Sequence, residues 1–341
     1  MEEPVYRRDP FSFAGSVEMR PFASRALKGN RLGDPHEREV PVYLPPGAER
    51  PGARFPTVFI LPAFTGRPQA LLETHPWKRG VVLEYDRAVA RGAAPPAILV
   101  MPDAFTRLGG SQYVDSATCG NYETYVADEI VAWVDQHYPT IPGRRAVCGK
   151  SSGGFGALRL GMHHPGTFPV VASVAGDCHF EFGYASDFLA ACRGLLAYDS
   201  NPAAFLEAFT EKPDLGGDGH AILNLIAMAS CYSPNPESPV GCDLPIDPAT
   251  GQRIDSVWQR WLAHDPLHVA EENADALKRL EWLHIEAGTR DEFHLQFAAR
   301  ALVKRLRELE IPCEHEEFDG GHFGLDKRIG PLLPRLIERL S

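Results

Sequence analysis

The chain has 341 residues, 44% of them apolar and 23% charged, with a formal net charge of −11. That balance suits a soluble globular enzyme whose core needs no disulfide or metal staple. It argues against a nucleic-acid partner, since there is no dense run of Lys and Arg, and no apolar run reaches the length of a membrane span.

The N-terminus, Met1-Glu2-Glu3-Pro4, has no basic stretch leading into an apolar one, so no secretory leader is expected and the chain reads as cytoplasmic. Seven cysteines are present. Cys231 and Cys242 are near enough in sequence to pair, but a reducing compartment would keep both as thiols. The first 55 residues are rich in Pro, Arg and Gly, with one strand-like run, Glu39 to Leu44. Thr57 to Leu61 is a short apolar, β-branched run that reads as a buried strand of a parallel sheet. A helical stretch follows around residues 68–91, then a second buried strand over Ala97 to Met101. Tyr122, Tyr125, Val126, Ile130, Trp133 and Val134 recur at helical spacing, with Asn121 placed as a cap. Arg145 to Cys148 is a third buried strand, Gly153 to His163 a helix, and Val170 to Val174 a fourth strand.

There the alternation stops, and the next clear strand is Trp282 to Glu286. The helix face Leu295, Ala298, Leu302, Leu306, Leu309 follows, then a strand over Glu314 to Phe318 and a closing helix through Leu333, Leu336, Ile337 and Leu340. Alternating strands and helices imply a mostly parallel central sheet with helices on both faces. Residues 1–177 and 266–341 would form this core, and 178–265 a largely helical insertion. Ligands in such folds bind beyond the carboxyl ends of the strands, so an insertion leaving that end is placed to be a lid. Its aromatics, Phe180, Phe182, Tyr184, Phe188, Trp258 and Trp261, are expected to enclose a small or medium apolar group.

Between a buried strand and a helix lies Gly149-Lys150-Ser151-Ser152-Gly153, a Gly-x-Ser-x-Gly match in the setting that motif requires. A serine on so tight a turn takes strained backbone angles, and its neighbours must lack side chains. A phosphate-binding loop shares the letters Gly-Lys-Ser, but its opening glycine would fall on Arg144, and the residues between are strand. A serine hydroxyl needs a base and an orienting acid, in chain order Ser, Asp/Glu, His. Asp291 follows the strand at 282–286 and His322 follows the strand at 314–318, freed by Gly320 and Gly321. Glu292 is a rival acid; Asp319 is too near His322 to sit on a separate strand end. The oxyanion donors expected are the N–H of Ser152, at the helix start, and that of Phe64, in the loop after the strand at 57–61. Pro62 has no N–H to offer.

These residues resemble a known group. Val42-Tyr43-Leu44-Pro45-Pro46-Gly47, Gly149 to Gly156, Gly288-Thr289-Arg290-Asp291 and Gly320-Gly321-His322-Phe323 are similar to the Putative esterase family, which includes the esterase D, feruloyl esterase and mycolyltransferase groups. The resemblance runs from about residue 28 to the C-terminus, apart from the insertion. It implies the α/β-hydrolase fold and a serine esterase in which Ser151 is nucleophile, Asp291 orienting acid and His322 general base, with Phe64 and Ser152 as oxyanion donors. It departs from many relatives at Lys150 and at Pro62-Ala63, where they carry a His-Gly pair. The rival activity is acyl transfer by the same triad; a non-catalytic binding protein on the same fold comes third.

Further expectations are weaker in their signal. Asp177, His179, Tyr113, Trp258 and Trp261 are expected to contact substrate. A metal on Asp177, His179 and Glu181 is conceivable, but alternate polar residues on an extended segment are more often solvated, so neither metal nor cofactor is expected. The partner expected is a small-molecule ester, with no nucleic acid and no membrane, and a homo-oligomer is left open.

Overall fold

A computed structural model describes residues 11–74 and 79–340. Eight strands form one sheet: β1 (Ser16–Ala23), β2 (Glu37–Leu44), β3 (Phe55–Leu61), β4 (Ile98–Val100), β5 (Thr140–Lys150), β6 (Val170–Val174), β7 (Trp282–Gly288) and β8 (Glu314–Phe318). Their order across the sheet is β1-β2-β4-β3-β5-β6-β7-β8. The strands from β4 to β8 run parallel, while β2 is antiparallel to both β1 and β4. The chain has the α/β-hydrolase fold.

The central strands are the apolar runs of the sequence. All five residues of β6 and all seven of β7 are buried, as are the last five of β3. Strands sandwiched between helical layers need apolar side chains on both faces, which is why these read as continuous runs. The edge strand β1 was not foreseen. Its sequence, SVEMRPFA, alternates polar and apolar residues only from Ser16 to Met19 before Pro21 interrupts it, and none of its residues is buried. It is held by eight paired positions with β2, from Ser16↔Leu44 to Ala23↔Glu37. The helical stretch expected over 68–91 resolves into a short turn of helix at Pro68–Leu71 and a helix at Val81–Ala90. Residues 75–78 of that stretch, and the N-terminal residues 1–4, lie outside the described residues.

The helix after Asn121 is irregular, with a π-helical stretch at Tyr125–Ile130 between two α-helical pieces. Asn121 does not cap it through its side chain. Asp115 does that work, accepting the Thr124 N–H at 3.0 Å and the Thr124 hydroxyl at 2.6 Å.

Between β6 and β7 the chain is helical, chiefly Phe188–Leu195, Pro202–Glu211, Gly219–Tyr232 and Asp255–Leu262. This segment shares one continuous hydrophobic core with the sheet. Trp258 and Trp261 are 1% and 0% exposed and sit edge-on to Phe188, each with ring centroids 5.6 Å apart. The Trp261 indole N–H donates to the Ser233 hydroxyl at 2.8 Å, which satisfies its one polar atom. Among the described residues, no helix is long and apolar enough to cross a membrane.

Candidate active site

Ser151 lies between β5 and the helix Ser152–His163, with φ 52° and ψ −126°. A non-glycine residue rarely adopts such angles, and it persists only where its surroundings over-determine it. Here the surroundings are backbone. A Cβ on Gly149 would stand 2.4 Å from the carbonyl of Gly153, and one on Gly153 would stand 2.1 Å from the carbonyl oxygen of Leu61. Both glycines are therefore required for the helix to start so close above β3 and β5. The Ser151 N–H is tied to the Val174 carbonyl at 2.9 Å, which anchors the turn to β6.

The Ser151 Oγ lies 2.9 Å from Nε2 of His322, and Nδ1 of the same ring lies 2.8 Å from Oδ2 of Asp291. The Asp291 side chain is fully buried, and that of His322 is 11% exposed. The other Asp291 oxygen accepts the Phe293 N–H at 3.0 Å and the Leu295 N–H at 3.4 Å, so the carboxylate is fixed by backbone as well as by histidine. Glu292, the rival acid, holds the loop instead: its carboxylate accepts the His322 N–H at 2.6 Å. Asp319 is ion-paired with Arg290 at the surface.

Phe64 and Ser152 line the same cavity as Ser151, a space of about 260 Å³. Flanking hydrogen bonds fix the Phe64 loop: Thr65 N–H to Gly109 at 3.0 Å and Gly66 N–H to Ala63 at 2.9 Å. The Phe64 N–H has no backbone partner among the described residues, and the Ser152 N–H begins a helix, where no intrahelical acceptor exists. Lys150 does not point a free charge at the site; its ammonium pairs with Asp326 at 2.7 Å, tying the turn to the last helix.

Asp177 also lines the cavity, but the other residues expected to touch substrate do not. Tyr113 is 2% exposed beneath it, its hydroxyl donating to the Pro62 carbonyl at 2.6 Å, so it braces the Phe64 loop. Trp258 and Trp261 are core of the insertion. His179 stacks on Phe182 at 3.8 Å beside Glu181. Of the six insertion aromatics expected around the ligand, only Tyr184 lines the cavity. The expected apolar enclosure is replaced by a stripe of the helix Gly219–Tyr232: His220, Asn224 and Met228. Their four-residue spacing puts them on one face. Two polar residues at that spacing in an otherwise apolar helix were a signal the sequence offered. Gln112, which also lines the cavity, gave none; it owes its place to left-handed φ values of 53° at both Gln112 and Tyr113.

Among the described residues, Glu181, Asp265 and His268 bring potential metal ligands within 4.8 Å of one another. The Asp265 carboxylate already accepts the N–H groups of His179, Phe180 and Leu267, which accounts for its burial without an ion. All seven cysteines are free. The near neighbour of Cys231 is not Cys242 but Cys119, at 3.8 Å between sulfurs.

Residues 31–323 match the model of the Esterase family, described as Putative esterase. The chain belongs to that family. S-formylglutathione hydrolase of Mus musculus is 25% identical over 146 residues, which are 40% of this chain and 51% of that protein. The chain thus matches about half the length of that curated relative. Among solved structures, a ferulic acid esterase superposes with a TM-score of 0.63 at 19% identity, covering 97% of this chain and 100% of its own. An S-formylglutathione hydrolase from Agrobacterium tumefaciens gives 0.60 at 17% identity, covering 97% of each chain. At these identities the likeness is one of fold.

Proposed function

We propose that this member of the esterase family hydrolyses small carboxylic esters through an acyl-enzyme on Ser151. The observation that carries the reading is the unbroken series from Ser151 Oγ through the His322 ring to Asp291, at 2.9 and 2.8 Å, on a turn strained to expose the serine. Membership of the family supports ester cleavage as the reaction.

His322 takes the Ser151 proton as Oγ attacks the ester carbonyl, and returns it to the departing alcohol. Asp291 keeps the Nδ1 proton in place, so that Nε2 is the basic nitrogen, and stabilises the imidazolium. The N–H groups of Phe64 and Ser152 receive the oxyanion, with the N-terminus of the helix at Ser152 adding its dipole. Water, activated by the same histidine, then releases the acid. Residues 178–265 serve as a lid over this site; the cavity-lining Tyr184, His220, Asn224 and Met228 support that role.

A fluorophosphonate probe should label Ser151, and Ser151→Ala should remove both the label and the turnover of 4-nitrophenyl acetate. The loss expected for a triad nucleophile is about a millionfold in kcat. A folded Ser151→Ala protein retaining turnover within tenfold of the parent would sink the proposal.

A further inference from the structure

The cavity has two unlike sets of lining residues. Phe293, Leu295, Phe323 and Leu325 come with His322 from the segment after β7 and β8. Gln112, Asp177, Tyr184 and Asn224 come from elsewhere and are polar. Asp177 is the charged member of this second set. Its Oδ2 accepts the Tyr184 hydroxyl at 2.8 Å and the Ser152 hydroxyl at 3.3 Å. No donor to its Oδ1 is found among the described residues, and the half-buried side chain lines the cavity. No Lys, Arg or His of the described residues forms an ion pair with it, and the nearby Lys150 is engaged by Asp326 at 2.7 Å. Burial opposes its charge and pushes its carboxyl up, against the Tyr184 hydrogen bond and the charge of His322.

The same network continues into the protein. Gln112 is 1% exposed, and its amide nitrogen donates to the Ser152 hydroxyl at 2.7 Å and contacts the Met228 sulfur at 3.0 Å. Its carbonyl oxygen is buried without a partner. Buried acceptors and unpaired carboxylates are costly unless something donates to them. Asp177, joined through Ser152 to the reacting turn, is therefore the acceptor of this corner that lines the cavity, with no ion-pair partner among the described residues.

We infer that this corner binds a cationic, hydrogen-bond-donating group on the acyl arm of the substrate, an ammonium docked on Asp177. The inference rests on the hydrolase reading given above. The choice of arm follows from the chemistry: His322 must protonate the leaving oxygen, so the alcohol lies among Phe293, Phe323 and Leu325 on the histidine side. The acyl arm is left to run past Ser152 toward Asp177. A carboxylate so near the Ser152 N–H also opposes an oxyanion there, and a bound cation offsets that charge. The gain should therefore appear in kcat/KM. An anionic arm would meet the like charge of Asp177 and be disfavoured.

The test compares three 4-nitrophenyl esters with arms of like length: 6-aminohexanoate, heptanoate and the adipate monoester. The order expected in kcat/KM is ammonium, methyl, carboxylate, with the first ahead of the second by roughly tenfold or more. Asp177→Asn should bring the ammonium-to-methyl ratio close to one, a ratio in which any shared loss of turnover cancels. Should that variant fail to fold, competition in the parent decides: n-pentylammonium should inhibit at least about tenfold more strongly than 1-pentanol. A heptanoate ester as good as the aminohexanoate, a preference that survives Asp177→Asn, or equal inhibition by amine and alcohol would each overturn the inference. Fluorophosphonate labelling of the same preparation separates the two readings. A labelled Ser151 with a flat ester series removes the inference alone; an unlabelled Ser151 with no ester turnover removes the hydrolase reading beneath it.

Discussion

The turn that carries Ser151 and the helix wall that faces it are held in place by different forces. The turn is a matter of backbone. Gly149 and Gly153 leave room for main chain against main chain, and the strained φ of Ser151 is enforced by strands on either side. The wall is a matter of side-chain packing. The helix Gly219–Tyr232 presents His220, Asn224 and Met228 to the cavity because its other faces, with Ile222, Leu223 and Ile226, are buried in the hydrophobic core. A backbone constraint fixes the chemistry to a narrow geometry, whereas a packed helix can change its exposed stripe without disturbing that geometry. Reaction type should thus be robust to changes in the wall, and substrate choice should not.

The comparison breaks most sharply at the acid. Asp291→Asn keeps the shape of the triad but favours the wrong histidine tautomer, and kcat should fall by about ten-thousandfold. Glu292→Gln touches only the His322 backbone N–H and should stay within roughly tenfold of the parent, the loss of one charge-assisted hydrogen bond. Steady-state rates on 4-nitrophenyl acetate read both. Equal losses in the two variants would mean that Glu292 shares the role assigned to Asp291.

The wall can be loosened without touching the turn. Trp261 is fully buried and meets Tyr184, Phe188, Tyr232 and Trp258. Trp261→Ala should cost about 3–5 kcal/mol of stability and leave the Ser233 hydroxyl without its indole partner. Urea unfolding gives the loss. Fluorophosphonate should still label Ser151 in the folded fraction, because the elbow does not depend on this packing. Loss of labelling in protein that remains folded would show the two regions to be one unit.

What the sequence disclosed follows the same division. The strands β3, β5, β6 and β7 were legible because burial on both faces forces continuous apolar runs, and the glycines around Ser151 because the tight turn admits nothing else. Asp291 and His322 were singled out from their places after successive strands, and the fold brings them within hydrogen-bond distance of one another and of Ser151. The cavity wall was not. Trp258 and Trp261 were expected to contact substrate from their place in the segment, but which face of a helix meets the cavity is settled by tertiary packing, and theirs is turned inward. Gln112 reaches the cavity through a pair of left-handed residues that carry no glycine to announce them. β1 was missed because its alternation is short and broken by Pro21, and it is held by its pairing with β2.

The smallest effect expected concerns the seam between the insertion and the core, where a polar cluster joins them. Glu123 accepts Arg159 at 2.6 Å, His163 at 2.8 Å and His164 at 2.9 Å, and Arg159 also reaches His264 at 3.2 Å. Burial works against the Glu123 anion, but the two histidine hydrogen bonds and the Arg159 charge outweigh it and hold its carboxyl well below the usual range. His264 is pushed down to about 4, chiefly by burial and then by the charge of Arg159. In the unfolded chain His264 takes a proton near pH 6.5, while in the fold it stays neutral until about 4. The unfolded state therefore binds more protons between those values, and stability falls as the pH is lowered through that window. Glu123 acts in the same direction at lower pH: its depressed carboxyl stabilises the fold above the unfolded value of 4.5 and loses that contribution as acid titrates it. Between pH 7 and 5 only His264 of this pair contributes, and its share is about 1–2 kcal/mol for a group that is not wholly enclosed. His264→Gln keeps an acceptor for Arg159 and removes the titration. Urea melts of parent and variant at pH 7 and pH 5 should show the parent losing that much more than the variant over the interval, and parallel losses would mean that His264 takes up its proton as readily in the fold as in the unfolded chain.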